Sequence, residues 1–184
     1  MKQYLQSVKA SFFIMMICLL ILTINTFLPM HLTQYGIYPR SNNMLFGIFF
    51  APFLHVSGLH LWSNFFPFII FSSLVGIKDV KRFYYLFIIQ LFCTGLLVWL
   101  FARGESVHVG MSGIIYAFWG YLIVYGIVCK NFLHLSIAIL TVFFYGWLIF
   151  GLFSIRSGIS FEGHLLGSLS GAISGYLFAK NDIR

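Results

Sequence analysis

Two short motifs carry side chains able to do covalent chemistry. Gly110-Met111-Ser112-Gly113 sets a hydroxyl between glycines, and Glu162-Gly163-His164-Leu165-Leu166-Gly167 sets an imidazole at the head of a glycine run. A serine hydroxyl becomes a nucleophile when a histidine takes its proton. Gly110 and Gly113 permit a tight turn with close backbone approach, and the free N–H groups of a helix N-terminus stabilise an oxyanion. His60 and Asn64, spaced i, i+4, share one helix face from which both can donate to a common oxygen, and His55 lies five residues earlier. Tyr116, four residues after Ser112, shares its face and can stack on an imidazole. Taken singly, each motif has an ordinary explanation: small residues pack transmembrane helices, and polar residues cap helix ends. The chemical reading requires them to converge.

The elements that must bring them together are apolar helices. Of 184 residues 60% are hydrophobic, 20% aromatic and 8% charged, against about 25% charged in a soluble domain. Long uncharged runs of about 20 residues are what a bilayer demands of a helical span. Apolar runs between polar punctuation predict spans at 11–30, 60–77, 83–102, 112–129, 133–153 and 162–179, in one membrane domain covering 1–184. Phe27-Leu28-Pro29-Met30 offers no small-x-small cleavage site, so the first run reads as a retained span.

Six spans put both termini on one side. With that side cytoplasmic, Lys2, Lys9, Lys78, Lys81, Arg82, Lys130, Lys180 and Arg184 lie inside, against Arg40, Arg103 and Arg156 outside, as the positive-inside rule asks. The starts of the second, fourth and sixth spans, with His60 and Asn64, Ser112, and His164, then fall at similar depth near the outer face. The one long external connection, 31–59, contains the apolar run Met44–Leu54, which is too short to span and reads as an interfacial or partly submerged loop. Gly163, Gly167, Gly171 and Gly175 form a smooth face on the last span; against Gly113, Ala117 and Gly120 it permits the close approach that lets His164 reach Ser112.

Other chemistries fit less well. The scattered Lys and Arg exclude a nucleic-acid patch. Cys18, Cys93 and Cys129 have neither disulfide nor zinc spacing. His55, His60, His108 and His164 lack an HExxH pair and a placed acidic ligand, which argues against a metalloprotease. The spans carry too little charge for a transporter or channel. No acid completes a triad: Asp79 and Asp182 fall on the cytoplasmic side, Glu105 lies in a loop, and Glu162 is two residues from His164 and points elsewhere. The constellation is a Ser112–His164 dyad.

Together, His55-x4-His60-x3-Asn64, Gly110-x-Ser112-Gly113 with Tyr116, and Gly163-His164-x-x-Gly167 resemble the rhomboid intramembrane serine proteases over roughly 11–179. Gly36–Arg40 and Pro52–His55 resemble the first loop of bacterial members, with Pro39-Arg40 where some have Trp-Arg, so that Arg40 carries over as a structural residue. The resemblance implies an all-α, six-span bundle of the minimal bacterial type in the inner membrane, without metal or cofactor. It implies Ser112 as nucleophile, His164 as base and then acid, and Tyr116 packed on that histidine. The implied oxyanion donors are the backbone N–H groups of Ser112 and Met111 with the side chains of His60 and Asn64. Substrates would be membrane-anchored proteins cut in or near a transmembrane segment. A catalytically silent, chaperone-like relative is the alternative.

Overall fold

The computed structural model describes residues 2–28, 30–104, 106–154 and 160–183, and no strand occurs among them. Pro29, Glu105, Arg156 and Arg184, which entered the reading of the sequence, lie outside the described residues. Seven α-helices follow in order: α1 Lys2–Phe27, α2 Gly47–Phe50, α3 Gly58–Val75, α4 Val80–Phe101, α5 Ser112–Cys129, α6 Phe132–Tyr145 and α7 Phe161–Ile183.

Five stretches are long and apolar enough to cross a membrane: Gln3–Phe27, Gly58–Val75, Val80–Phe101, Ser112–Cys129 and Phe132–Leu152. The segment expected as the sixth span is α7, which at 23 residues has the length. Its four glycines, with Ser168, Ser170 and Ser174, dilute its apolar content, so the expectation of six equivalent spans is met by five candidate spans and one long helix of mixed composition.

Local chemistry sets the boundaries. Ser57, Asp79 and Asn131 accept from the backbone N–H groups of His60, Lys81 and Leu133, capping α3, α4 and α6. Lys130, in the left-handed region at φ 52°, ends α5. The first helix begins well before residue 11, because polar residues near its start find partners: Ser11 Oγ donates to Ser7 O at 2.8 Å, and Gln3 Oε1 accepts from Val80 N. The last part of the 133–153 span is not α-helical; it tightens into a 3₁₀ turn over Gly146–Leu152.

The long connection between α1 and α3 is folded onto the bundle. It contains 3₁₀ turns at Leu32–Tyr35, Asn42–Met44 and Ala51–Phe53 besides α2. Arg40 Nη1 donates to Ala102 O at 2.7 Å and Leu100 O at 3.3 Å, satisfying carbonyls at the end of α4. Trp99 Nε1 donates to Ser41 O, and Ile37 pairs with His108 in an isolated antiparallel bridge. Ile48 and Ala51 are buried while Phe46, Phe49 and Phe50 are exposed, so the loop keeps an apolar outer face.

Helix α5 sits centrally, packing on α3, α4, α6 and, most extensively, α7. Phe68, Phe71, Phe83 and Phe118 are fully buried around it. The α5–α7 seam depends on small residues. A Cβ on Gly167 would collide with Gly113 O, one on Gly171 with Ala117 O, and one on Gly120 with Ser168 O. Backbones this close gain dispersion that larger side chains would forbid. Gln90, buried in α4, closes a polar cluster with α7: Nε2 donates to Ser174 Oγ at 2.8 Å, and Oε1 accepts from Ser170 Oγ at 2.7 Å and Thr94 Oγ1 at 3.2 Å. A lone amide in an apolar bundle is costly unless paired, so this cluster fixes the register of α4 on α7.

Candidate functional site

Ser112 is the first residue of α5 and His164 the fourth of α7. The glycine seam draws these two helix starts together, and Ser112 Oγ lies 3.0 Å from His164 Nε2. The imidazole is held from two further directions. Its Nδ1 is 3.1 Å from Gly151 O, and its ring stacks on Tyr116 with centroids 4.1 Å apart and planes at 11°. Nδ1 therefore carries the proton that it donates to Gly151 O, which leaves the Nε2 lone pair facing the serine hydroxyl. Tyr116 is held in turn, its hydroxyl donating to Leu148 O at 3.0 Å.

Two residues before Ser112, Gly110 adopts φ 112°, a conformation side-chain-bearing residues rarely take, and a Cβ there would lie 2.6 Å from His60 Cε1 and 2.7 Å from His60 Nε2. Glycine is thus required twice over, by dihedral and by proximity. Gly110 N donates to Ala51 O, anchoring the turn to the connection between α1 and α3. The helical ladder begins with Ile114 N and Ile115 N on Met111 O, so the Ser112 and Gly113 N–H groups precede it.

A cavity of about 730 Å³ opens over the pair, with His60, Ser63, Asn64 and Pro67 on one wall and Trp147, Leu148, Phe150 and Gly151 on another. Asn64 is buried and its Nδ2 has no hydrogen-bond partner among the described residues; the same holds for His60 Nδ1. Met111 is fully buried and does not line this cavity. His55 is also walled off, packed edge-on against His60 with centroids 5.0 Å apart. Of the singled-out residues, Ser112, His164, Tyr116, His60 and Asn64 share the cavity; Gly110 lies against His60, Gly167 packs on Gly113 in the α5–α7 seam, and His55 braces His60.

Three contributors were not foreseen. Gly151 O occupies the position that an acidic side chain would take in a triad. Leu148 O holds Tyr116. Ser160 accepts from Gly163 N at 3.2 Å, capping α7 ahead of His164, and its Oγ lies 2.6 Å from His108 Nδ1. Backbone carbonyls leave no sequence signal, whereas Ser160 three residues before Gly163 is a readable N-cap. Glu162 does point away from His164, pairing with Arg103 at 3.2 Å on the cavity rim.

The Rhomboid domain family matches residues 42–181, which contain every residue of this constellation. The chain belongs to the rhomboid family. Uncharacterized proteins of Mycobacterium bovis and Mycobacterium tuberculosis are each 30% identical to this rhomboid over 152 residues, covering 78% of it and 63% of their own length. One of Mycobacterium leprae is 29% identical over 152 residues, covering 78% of this chain and 60% of its own length. The rhomboid chain thus spans less than two thirds of these relatives. Family and apolar helices together make it an integral, multi-pass membrane protein.

Burial has a measurable consequence at His55, which lies in the loop before α3. Desolvation first, and the neighbouring His60 charge second, push its pKa down to about 4 from an ordinary 6.5. The folded protein then binds fewer protons here than the unfolded chain, so this contribution to stability is complete above pH 6.5 and is lost as pH falls toward 4. We expect the melting temperature to drop over that window, and His55→Phe, which keeps the edge-on ring, to flatten the drop. Equal slopes for both proteins would show that His55 is not a source of acid sensitivity.

Proposed function

We propose that the protein is an intramembrane serine endopeptidase that cleaves membrane-anchored proteins through a Ser112–His164 dyad. The observation that carries this reading is the 3.0 Å approach of Ser112 Oγ to His164 Nε2 beneath an open cavity, with Nδ1 satisfied on its other side. A silent binding relative has no need of a hydroxyl held against a correctly oriented imidazole.

In the first step Ser112 Oγ bonds to the scissile carbonyl carbon while His164 Nε2 takes its proton. The carbonyl oxygen gains the negative charge. Its proposed donors are the backbone N–H groups of Ser112 and Met111 and the side chains of Asn64 and His60. Collapse breaks the C–N bond, and His164 returns its proton to the leaving amine. Water then attacks the acyl-enzyme with His164 again as base, releasing the new carboxyl terminus and restoring Ser112.

The proposed setting is a bacterial inner membrane, with α7 as the sixth span, both termini cytoplasmic and the cavity toward the outer face. The exposed ring of Phe46, Phe49 and Phe50 on the first external connection is then a surface for the membrane interface.

The test is cleavage of a transmembrane substrate by purified protein in liposomes. Wild type should yield two fragments with one new N-terminus. Asn64→Ala should turn over more slowly by roughly 10²-fold, or less where the backbone donor compensates. Intact substrate with folded protein would favour the silent reading, and unchanged turnover in both Asn64→Ala and His60→Ala would remove those side chains from the oxyanion site.

A further inference from the structure

The 3₁₀ turn Gly146–Leu152 runs for seven residues, whereas such helices rarely exceed about three or four, and unusually long ones mark strain or a hinge. It packs on α6 and α7, and it forms the cavity wall facing α3 through Trp147 and Phe150, both exposed. From its inner side Leu148 O accepts from Tyr116 Oη, and Gly151 O accepts from His164 Nδ1. One short backbone segment therefore walls the cavity and also holds the base and the ring stacked on it.

Taking the protease reading as its basis, we propose that Gly146–Leu152 is the positioning element of the base, with the Gly151 carbonyl in the place of a triad acid, so that Ser112 is activated only while this turn is seated. Loss of this seat takes away the acceptor of the Nδ1 proton and the anchor of Tyr116, and the imidazole is then free to rotate or change tautomer.

The residue at 151 must be glycine for this to work. A Cβ would collide with Tyr116 Oη, and it would lie 3.0 Å from Tyr116 Cζ and 3.3 Å from His164 Nδ1. Gly151→Ala should therefore push the turn off both residues. Removing the tyrosine hydroxyl takes away the first obstacle, so Tyr116→Phe should rescue Gly151→Ala even though it weakens the wild type.

The experiment measures kcat and KM on one transmembrane substrate, with melting temperature, for wild type, Tyr116→Phe, Gly151→Ala and the double variant. Gly151→Ala should lose kcat on the order of 100-fold, the cost of displacing a reacting group by about 1 Å. Its KM should change by less than about threefold, since uniform substrate binding is untouched. Tyr116→Phe, missing one neutral hydrogen bond, should lose about threefold to tenfold. The double variant should be clearly faster than Gly151→Ala, short of the Tyr116→Phe level because the 3.0 Å contact with the ring carbon remains. A double variant no faster than Gly151→Ala, or Gly151→Ala with wild-type kcat, would overturn the proposal. Should Gly151→Ala fail to fold, histidine 15N spectra of the wild type decide the matter: with the His164 signal assigned by its loss in His164→Asn, a proton on Nδ1 and a bare Nε2 are expected, and the opposite tautomer would refute it. That spectrum needs no substrate, and wild-type cleavage dependent on Ser112 tests the protease reading separately.

Discussion

Replacing Ser112 by Ala, or His164 by Ala, is expected to lower cleavage of a transmembrane substrate on the order of 10⁵-fold, and the double variant should be scarcely slower than either single one. The reason is the geometry: Ser112 Oγ and His164 Nε2 are hydrogen-bonded at 3.0 Å. Without the imidazole, the hydroxyl remains protonated and a poor nucleophile. Without the hydroxyl, the imidazole has nothing to deprotonate but water. Residues acting as one unit are non-additive in this way. Initial rates of the three variants in one lipid preparation check the expectation, and single variants that each keep substantial activity while only the double is dead would mean two independent routes.

The second large effect concerns the seam that brings the dyad together. Gly167→Val and Gly171→Val are expected to insert and purify as helical membrane proteins but to cleave on the order of 100-fold more slowly. A Cβ at either position meets backbone, Gly113 O and Ala117 O respectively, and backbone cannot rotate aside as a side chain would. Overpacking of this kind costs about 1–3 kcal/mol and separates the helices. Gly167 is the more sensitive for catalysis, because it lies one turn below His164 and touches the residue after Ser112. At Gly175 the obstacles are Tyr121 O at 2.8 Å and Tyr125 N at 3.0 Å, two turns further along, so Gly175→Val should affect stability more than rate. Initial rate and melting temperature measured together separate the cases; a fully active Gly167→Val would contradict the close α5–α7 packing.

How much of this was legible in the sequence depends on where the signal resides. The four-residue glycine period and the small residues of α5 could be read as a seam because Gly and Ala at fixed helical spacing leave few other interpretations. From that seam, and from polar residues at matching depth, the meeting of Ser112, His164, His60 and Asn64 followed. The partner of His164 Nδ1 was not legible, since the acceptor is the Gly151 main chain and its presentation requires an α-helix to tighten at Gly146, which an apolar pattern over 133–153 conceals. The apolar run 11–30 marks only the apolar part of α1, whose polar first turns, where Gln3 and Ser7 find partners within the fold, carry no such signal. Gln90 was readable in principle: a single amide inside an apolar run signals a buried partner, here Ser170 and Ser174 on α7. The apolar pattern also presented α7 as one more span equal to the rest, whereas the glycines and serines that make its packing face lower its hydropathy.

The central claim is that Ser112 is a nucleophile activated by His164, and serine-directed labelling tests it without any assumption about substrate. A fluorophosphonate probe added to the folded protein in detergent should attach to wild type, with the adduct located on Ser112 by peptide mass analysis. Ser112→Ala should not label, and His164→Ala should label far more slowly. Equal labelling of wild type and Ser112→Ala, or labelling that persists undiminished in His164→Ala, would contradict the account.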